Sequence, residues 1–416
     1  RRRPFEITGS GDPKSETPIA SASVAADVIE GPILEPTPES LPSRVVLVTI
    51  DGVRGEDVFA GATDERAPDS EPILPSLHRL VGERVRRSED RVRHDVRESG
   101  PSVVSLPGDL ETLTGKATGC AHKACPTVDS MTVADEVRAA VDRDADVAVS
   151  RRGASPPARL RVLGRAIVLS AGARATLADA TKEDTELRSS LEEGARFAGY
   201  PGWGDYRPDM RTARIALRCL ETRAPRMLVA GLGDADEHAH RGDIAGYRRA
   251  IRHSDDFLAE LDRTHGRCAA EMAVLVITDY GRSHSMHAHG PGFPESPRVF
   301  FAAFGAGIAR RGVTCAPSPF PLAHLAGAVR ALFALAIDVE PGPVAGEIID
   351  RRARLHELIW ALAATAIRGS LERAAGRRPE DARPLPSWAD DASRVRLLLG
   401  GGVELRRWLD AMGLAR

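Results

Sequence analysis

Lysine is nearly missing from this chain. Only 4 of its 57 basic side chains are lysine, the other 53 being arginines spread over all 416 residues, which reads as base composition rather than as one basic face. An excess of either charge is missing too. The 57 bases are matched by 59 acids, for a formal net charge of −2. That balance excludes a dedicated nucleic-acid binder and a polybasic membrane-surface binder. Long apolar runs are absent: the longest, Leu358 to Ile367, has half the roughly 20 residues a membrane span needs. Five cysteines are too few, and odd in number, for a disulfide scaffold. Cys120 and Cys125 are near enough in sequence to pair, as an extracytoplasmic protein allows. The chain starts at Arg1 without Met, and Arg1 to Arg3 have no apolar stretch behind them to make a signal peptide.

What is present is the composition of a soluble globular protein, 42% apolar and 28% charged. The length gives a prior of two to three domains at about 150 residues each. Residues 1–43 are rich in Pro, Ser, Thr and Glu without periodicity, and the expectation is a flexible arm. From Arg44 the pattern changes to short β-branched runs without alternation, the mark of strands buried on both faces. They are 44–50, 165–170, 227–232, 273–278 and 299–304, with helical patterns at 133–142, 210–222, 243–264 and 321–336. This predicts an α/β domain over 44–342, a mostly parallel sheet flanked by helices. Residues 343–416 read as a helical extension: a long helix from Ile348 to Leu371, a proline-containing break, and a last helical stretch at 391–413.

Three of the strands run into acids: Asp51, the segment Asp234-Ala235-Asp236, and Asp279. Open α/β sheets bind ligands at the carboxyl ends of their strands, so the search for a site starts there. Asp236 and His240 are four apart, which one helical turn places on one face, as a Zn²⁺ ligand pair needs. Five of the twelve histidines fall in 238–240 and 284–289, after two of these strand ends. Ser105 is a weak nucleophile unless a base or cation activates it. It has no GxSxG elbow around it, and a cap or turn role stands open beside catalysis. Asp51 is open in the same way between a metal ligand and a turn cap. Arg207 and Asp209 either touch substrate or pair with each other. Converging carboxylates and imidazoles need cations, and two divalent ions roughly 4 Å apart would activate a serine and steady a leaving oxygen.

In order along the chain, VTIDGVR at Asp51, SLPGDLETLTG at 105–115, GDADEHAH with Asp236 and His240, and TDYGRSHSMHAHG with Asp279, Tyr280 and His289 resemble the motifs of the alkaline phosphatase superfamily. The similarity spans roughly 44–340 and is nearest the type I phosphodiesterase/nucleotide pyrophosphatase and bacterial phosphatase-like branches. The resemblance implies Ser105 as nucleophile, through a phosphoserine. It implies two divalent ions, Zn²⁺ with Mn²⁺ as the alternative, one on Asp236, His240 and His289 and the other on Asp51, Asp279 and Ser105. The substrate it implies is a small phosphorylated molecule, and the family's frequent extracytoplasmic use favours that location; the oligomeric state is left open.

Two departures stand out. Tyr280 replaces the family's His after the acid of the last motif, and a neutral phenol with a pKa near 10 is a weak ligand. His284 and His287 are the candidate substitutes. Lys123 falls where relatives carry an Asn that holds phosphoryl oxygens; it either contacts the anion or lies in an exposed loop. Asp109 stands where a sulfatase of this superfamily has Arg, which argues against a sulfatase. The expected activity is a metal-dependent phosphoric-ester hydrolase. A degenerate member acting as a binding or interaction module is the alternative, and a transferase or mutase differs only in the acceptor.

Overall fold

The computed structural model describes residues 41–59, 72–81, 96–100, 103–117, 131–140, 147–151, 168–171, 174–177, 185–196, 206–264, 271–309, 320–333, 335 and 349. All belong to the unit Pro36–Arg416. Lys123, the cysteines at 120 and 125, residues 1–40 of the expected arm and, residue 349 apart, the expected C-terminal extension lie outside the described residues.

In chain order the elements are β1 (Arg44–Ile50), α1 (Gly55–Phe59), α2 (Pro75–Val81), β2 (Val96–Arg97), α3 (Ser105–Thr114), α4 (Val133–Ala140), β3 (Val147–Arg151), β4 (Val168–Ala171), β5 (Arg174–Leu177), α5 (Thr185–Arg196), α6 (Asp209–Arg223), β6 (Met227–Leu232), α7 (Asp234–His240), α8 (Ile244–Thr264), β7 (Met272–Ile277), β8 (Arg298–Val299), β9 (Phe301–Gly305), β10 (Phe320–Pro321) and α9 (His324–Leu332). Seven strands form one sheet in the order β5-β4-β3-β6-β1-β7-β9, and β10-β2-β8 form a small second one. The five inner strands are parallel; β5 and β9 close the edges antiparallel. This is the expected α/β architecture, mostly parallel and flanked by helices.

Strand β1 shows why its sequence does not alternate. Val46, Val48 and Ile50 join a core with residues of α2, α5, α6 and α8, while Val45 and Leu47 join a second core with α3, α4 and α9. Both faces are covered, so every position favours an apolar side chain. Each fully buried Val, Leu or Ile contributes roughly 1.5–3 kcal/mol.

The expected strands at β1, β6 and β7 stand within a residue of their predicted bounds. The one expected at 165–170 is described from Val168 to Ala171. The run at 299–304 is two strands: Val299 pairs with Val96 in the small sheet, and Phe301–Gly305 turns to pair with β7. Between them the Phe300 carbonyl accepts the Thr278 amide at 3.3 Å, which anchors the crossover beside the end of β7. β1 lies between β6 and β7 in register, Ile50 opposite Leu232 and Thr49 opposite Ile277. Three adjacent parallel strands therefore end at one level, and the acids that follow them are neighbours.

Candidate active site

The turn after β1 is forced by crowding. Gly52 has φ +62°, and a Cβ there would lie 2.8 Å from Asp236 Oδ1 and 3.3 Å from the Tyr280 ring. Only glycine meets both the left-handed backbone and the close approach. Its amide donates to Asp279 Oδ1 at 3.2 Å, and the next amide, Val53, donates to Thr278 Oγ1 at 3.1 Å. The ends of β1 and β7 are thus stitched together by side chains of the second strand end.

Ser105 opens α3. The N-cap is Val104, in extended backbone, so the serine is the first helical residue and is not the cap. Its hydroxyl lies 3.4 Å from Asp51 Oδ1 and 3.4 Å from the Tyr280 hydroxyl. The helix N-terminus places partial positive charge beside this oxygen. Gly108 lets α3 press against the end of β7: a Cβ there would sit 2.5 Å from the Asp279 carbonyl. The Thr114-Gly115 pair of the motif ends the helix, Gly115 being its left-handed C-cap at φ 71° with its N–H on the Glu111 carbonyl. The ten positions from Ser105 to Gly115 are the length of this helix.

Asp236 and His240 sit one turn apart on α7. The start of α7 is fixed by Asp209, whose carboxylate accepts the Gly233 amide at 2.6 Å and the Asp234 amide at 2.7 Å. In return Asp234 accepts the Asp209 amide at 3.1 Å and the Tyr206 hydroxyl. Arg207, wholly buried, donates from Nε to Thr212 Oγ1 at 3.1 Å; burial pulls its pKa down to about 10, against the pull of nearby Asp209. Asp209 thus braces the start of α7 and Arg207 is buried against Thr212, each a structural contact of its own.

Asp236, His240 and His289 offer ligand atoms all within 4.8 Å of one another. His240 Nε2 is 3.4 Å and His289 Nε2 is 4.0 Å from Asp236 Oδ1. Each ring is held from behind. His240 Nδ1 lies 3.1 Å from the His287 carbonyl and His289 Nδ1 lies 3.2 Å from the Val103 carbonyl. A carbonyl only accepts, so each Nδ1 carries a proton, and a neutral ring then has its lone pair on Nε2. Those two nitrogens face each other at 3.1 Å. Burial pushes the His289 pKa down to about 4, so this ring is neutral at neutral pH. Two lone pairs beside a carboxylate, with both rings oriented by backbone carbonyls, fit a divalent cation, and the N,N,O donor set suits Zn²⁺.

The other half of the site is arranged differently. Tyr280 is fully buried, stacked on His289 at 4.1 Å, and its hydroxyl donates to Asp236 Oδ1 at 2.7 Å. Arg282, inside the TDYGRSHSMHAHG segment but given no role by it, is buried against the same oxygen, with guanidinium nitrogens at 2.7 and 3.1 Å. Its Nε donates to the Met286 carbonyl at 3.1 Å. Asp279 Oδ1 also accepts the Tyr280 amide at 3.1 Å. His284 and His287 do not replace the missing imidazole. The His284 ring is exposed and lies 3.4 Å from Glu295, and the His287 ring packs over Gly242. Three adjacent strand ends, α3 and the 279–289 loop thus bring Asp51, Ser105, Asp236, His240, Asp279, Tyr280 and His289 together.

No protein-family model matches this chain, and no curated protein does. Solved structures similar to it include a 2-O GAG sulfatase, at 12% identity over 74% of this chain and 75% of that one, TM-score 0.48. Another is the TAB5 alkaline phosphatase with magnesium bound, at 10% identity over 70% and 98%, TM-score 0.42. A third is the lipoteichoic acid synthase LtaP from Listeria monocytogenes, at 10% identity over 71% and 72%, TM-score 0.43. The alkaline phosphatase bears the name of the superfamily whose motifs the sequence resembles. With TM-scores this low, the chemistry of the site rests on its own geometry.

Proposed function

We propose that this chain is a metal-dependent phosphoric-ester hydrolase with Ser105 as nucleophile. The observation that carries the reading is the pair of imidazole Nε2 atoms facing each other at 3.1 Å beside Asp236, close to a serine at a helix N-terminus. Asp236, His240 and His289 hold a divalent cation, with Zn²⁺ favoured and Mn²⁺ the alternative. When bound, it supplies Lewis acidity and offsets the charge of the phosphoryl group and the departing oxygen.

The protein's own part is positional. Ser105 Oγ attacks phosphorus while the bond to the ester oxygen breaks in line with it, giving a phosphoserine. Asp51 Oδ1, 3.4 Å from Oγ, faces the serine proton. The positive end of α3 points its first amides at the phosphoryl oxygens. Water then attacks phosphorus, the bond to Oγ breaks, and phosphate or a phosphomonoester leaves with Ser105 restored. The substrate is a small phosphorylated molecule, and the catalytic domain is 44–342.

One observation favours a second reading. Asp236 Oδ1 is already held by the Tyr280 hydroxyl and Arg282, as in a degenerate member that binds partners without turnover. Hydrolysis of a nitrophenyl phosphate ester over a Zn²⁺, Mn²⁺ and Mg²⁺ series separates the two. The hydrolase reading expects metal-dependent turnover that Ser105→Ala lowers at least about 1000-fold, the loss of a covalent nucleophile. No turnover with any of these metals, or full turnover in Ser105→Ala, overturns it.

A further inference from the structure

The acids around Ser105 are too many to stand side by side uncompensated. Asp51, Asp236 and Asp279 are 3%, 4% and 0% exposed, and buried carboxylates at this spacing need positive charge. The resemblance supplies it as two divalent ions. The structure already holds one cation of its own. Arg282 is 1% exposed and pairs with Asp236, so among the described residues one fixed positive charge already stands against these three acids.

Geometry points the same way. Among the described residues, one group of three or more His, Cys, Asp or Glu side chains comes within ligation distance, and it is Asp236, His240 and His289. At the other position the imidazole the resemblance calls for is Tyr280. Its hydroxyl donates to Asp236 at 2.7 Å and lies 3.4 Å from the Ser105 hydroxyl. Asp279 Oδ1 takes two backbone amides, and Asp51 Oδ1 faces the Ser105 hydroxyl. Protein donors thus occupy one oxygen of each of these acids, while Asp279 Oδ2 is buried without a hydrogen bond among the described residues.

We infer that the site takes one divalent cation per chain, with Arg282 as its permanent second positive charge and Tyr280 as the hydroxyl that ties Arg282's partner, Asp236, to Ser105. The inference rests on the reading of Asp236, His240 and His289 as cation ligands. Arg282 is here a positioning residue: it acts through Asp236 and touches no reacting atom. Its guanidinium cannot be lost to a chelator and does not depend on metal supply.

Metal content tests this without reference to turnover. The full chain is stripped with chelator, titrated calorimetrically with Zn²⁺, desalted and assayed for bound zinc. Wild type is expected to take up one equivalent. Tyr280→His, which restores an imidazole beside Asp279, is expected to take up two, and Tyr280→Phe to stay at one. Circular dichroism checks that both variants fold. Crystals of the wild type grown with Zn²⁺ give a measurement that needs no variant: one anomalous peak, at Asp236. Two equivalents or two peaks in the wild type overturn the inference and leave the hydrolase reading standing. One equivalent in folded Tyr280→His overturns the part assigned to Tyr280. No uptake by the wild type overturns both the inference and the metal-dependent reading beneath it.

Discussion

Around His240 and His289, backbone carbonyls grip the outer nitrogens of two imidazoles and drive their inner lone pairs together. Around Asp51, Asp279 and Tyr280, backbone amides and hydroxyls donate onto the acids. In the first arrangement two Nε2 atoms face each other beside a carboxylate oxygen already held by Arg282 and the Tyr280 hydroxyl. In the second, protons of the backbone and of Ser105 point at Asp279 Oδ1 and Asp51 Oδ1. Both halves stand at the ends of neighbouring strands, a few side chains apart, so the fold alone does not make a cation site. What decides is whether the second layer of contacts presents lone pairs or protons.

That contrast is broken most sharply by removing one lone pair from each half. His289→Ala takes an imidazole from the first half, and on the proposed reading Zn²⁺ affinity measured by calorimetry is expected to fall at least about 1000-fold, roughly 4 kcal/mol. Asp51→Asn removes a charge from the second half, and zinc uptake is expected to remain one equivalent. Loss of the bound zinc in Asp51→Asn would show that the ion lies between the halves and not in the first alone.

Behind the second half lies a carboxyl that no sequence motif marks. Glu98 is 5% exposed, and neither of its oxygens has a hydrogen-bond partner among the described residues. Burial, with Asp279, Glu111 and Asp109 as further negative neighbours, raises its pKa to about 10 from 4.5. The folded chain therefore keeps a proton on Glu98 that the unfolded chain releases above about pH 4.5. Its stabilising effect is complete below that pH and is lost as the pH climbs toward 10. Glu98→Gln removes this dependence. For the metal-free chain, the stability difference between variant and wild type is expected to grow in the variant's favour by about 2.7 kcal/mol from pH 6 to pH 8. Denaturant unfolding at several pH values measures it. Parallel curves for the two proteins would mean that Glu98 is ionised in the fold.

Much of this could be read from the chain, and the physical reason differs from residue to residue. Val45 to Ile50 announced a two-sided strand because both of its faces are covered. Asp51 and Asp279 announced a sheet edge because they directly follow such strands, and Asp236 with His240 because one turn of helix was enough to join them. Ser105 was harder. SLPGDLETLT holds a proline and a glycine, and nothing local shows that Pro107 falls in a first turn, where its missing N–H is harmless, or that Gly108 is needed for contact with Asp279. The pairing of Arg282 was not legible, although the residue stands inside a quoted motif, since its partner Asp236 is 46 residues away. Glu98 is hidden for the same reason: its neighbours come from α3 and the end of β7. Long-range electrostatics leave no period in a sequence.

Asp209 carries the smallest expected effect and the most selective one. It touches none of the ligands, yet it accepts the two amides that start α7, and α7 carries Asp236 and His240 one turn later. Asp209→Asn keeps the shape and one acceptor but replaces the other with donors, beside a buried Arg207 that loses its nearby charge. The expected cost is about 1–2 kcal/mol of stability, with Zn²⁺ affinity lowered about tenfold, as for a residue that orients ligands from behind. Asp51, Asp279 and Tyr280 hang from β1 and β7, so the second half should be untouched. A tenfold loss of affinity with the stoichiometry still at one would tie the first half to the start of α7. An unchanged affinity would place the orientation of Asp236 in the grip of Arg282 and Tyr280 instead, and would move the origin of the contrast from the helix to the loop after β7.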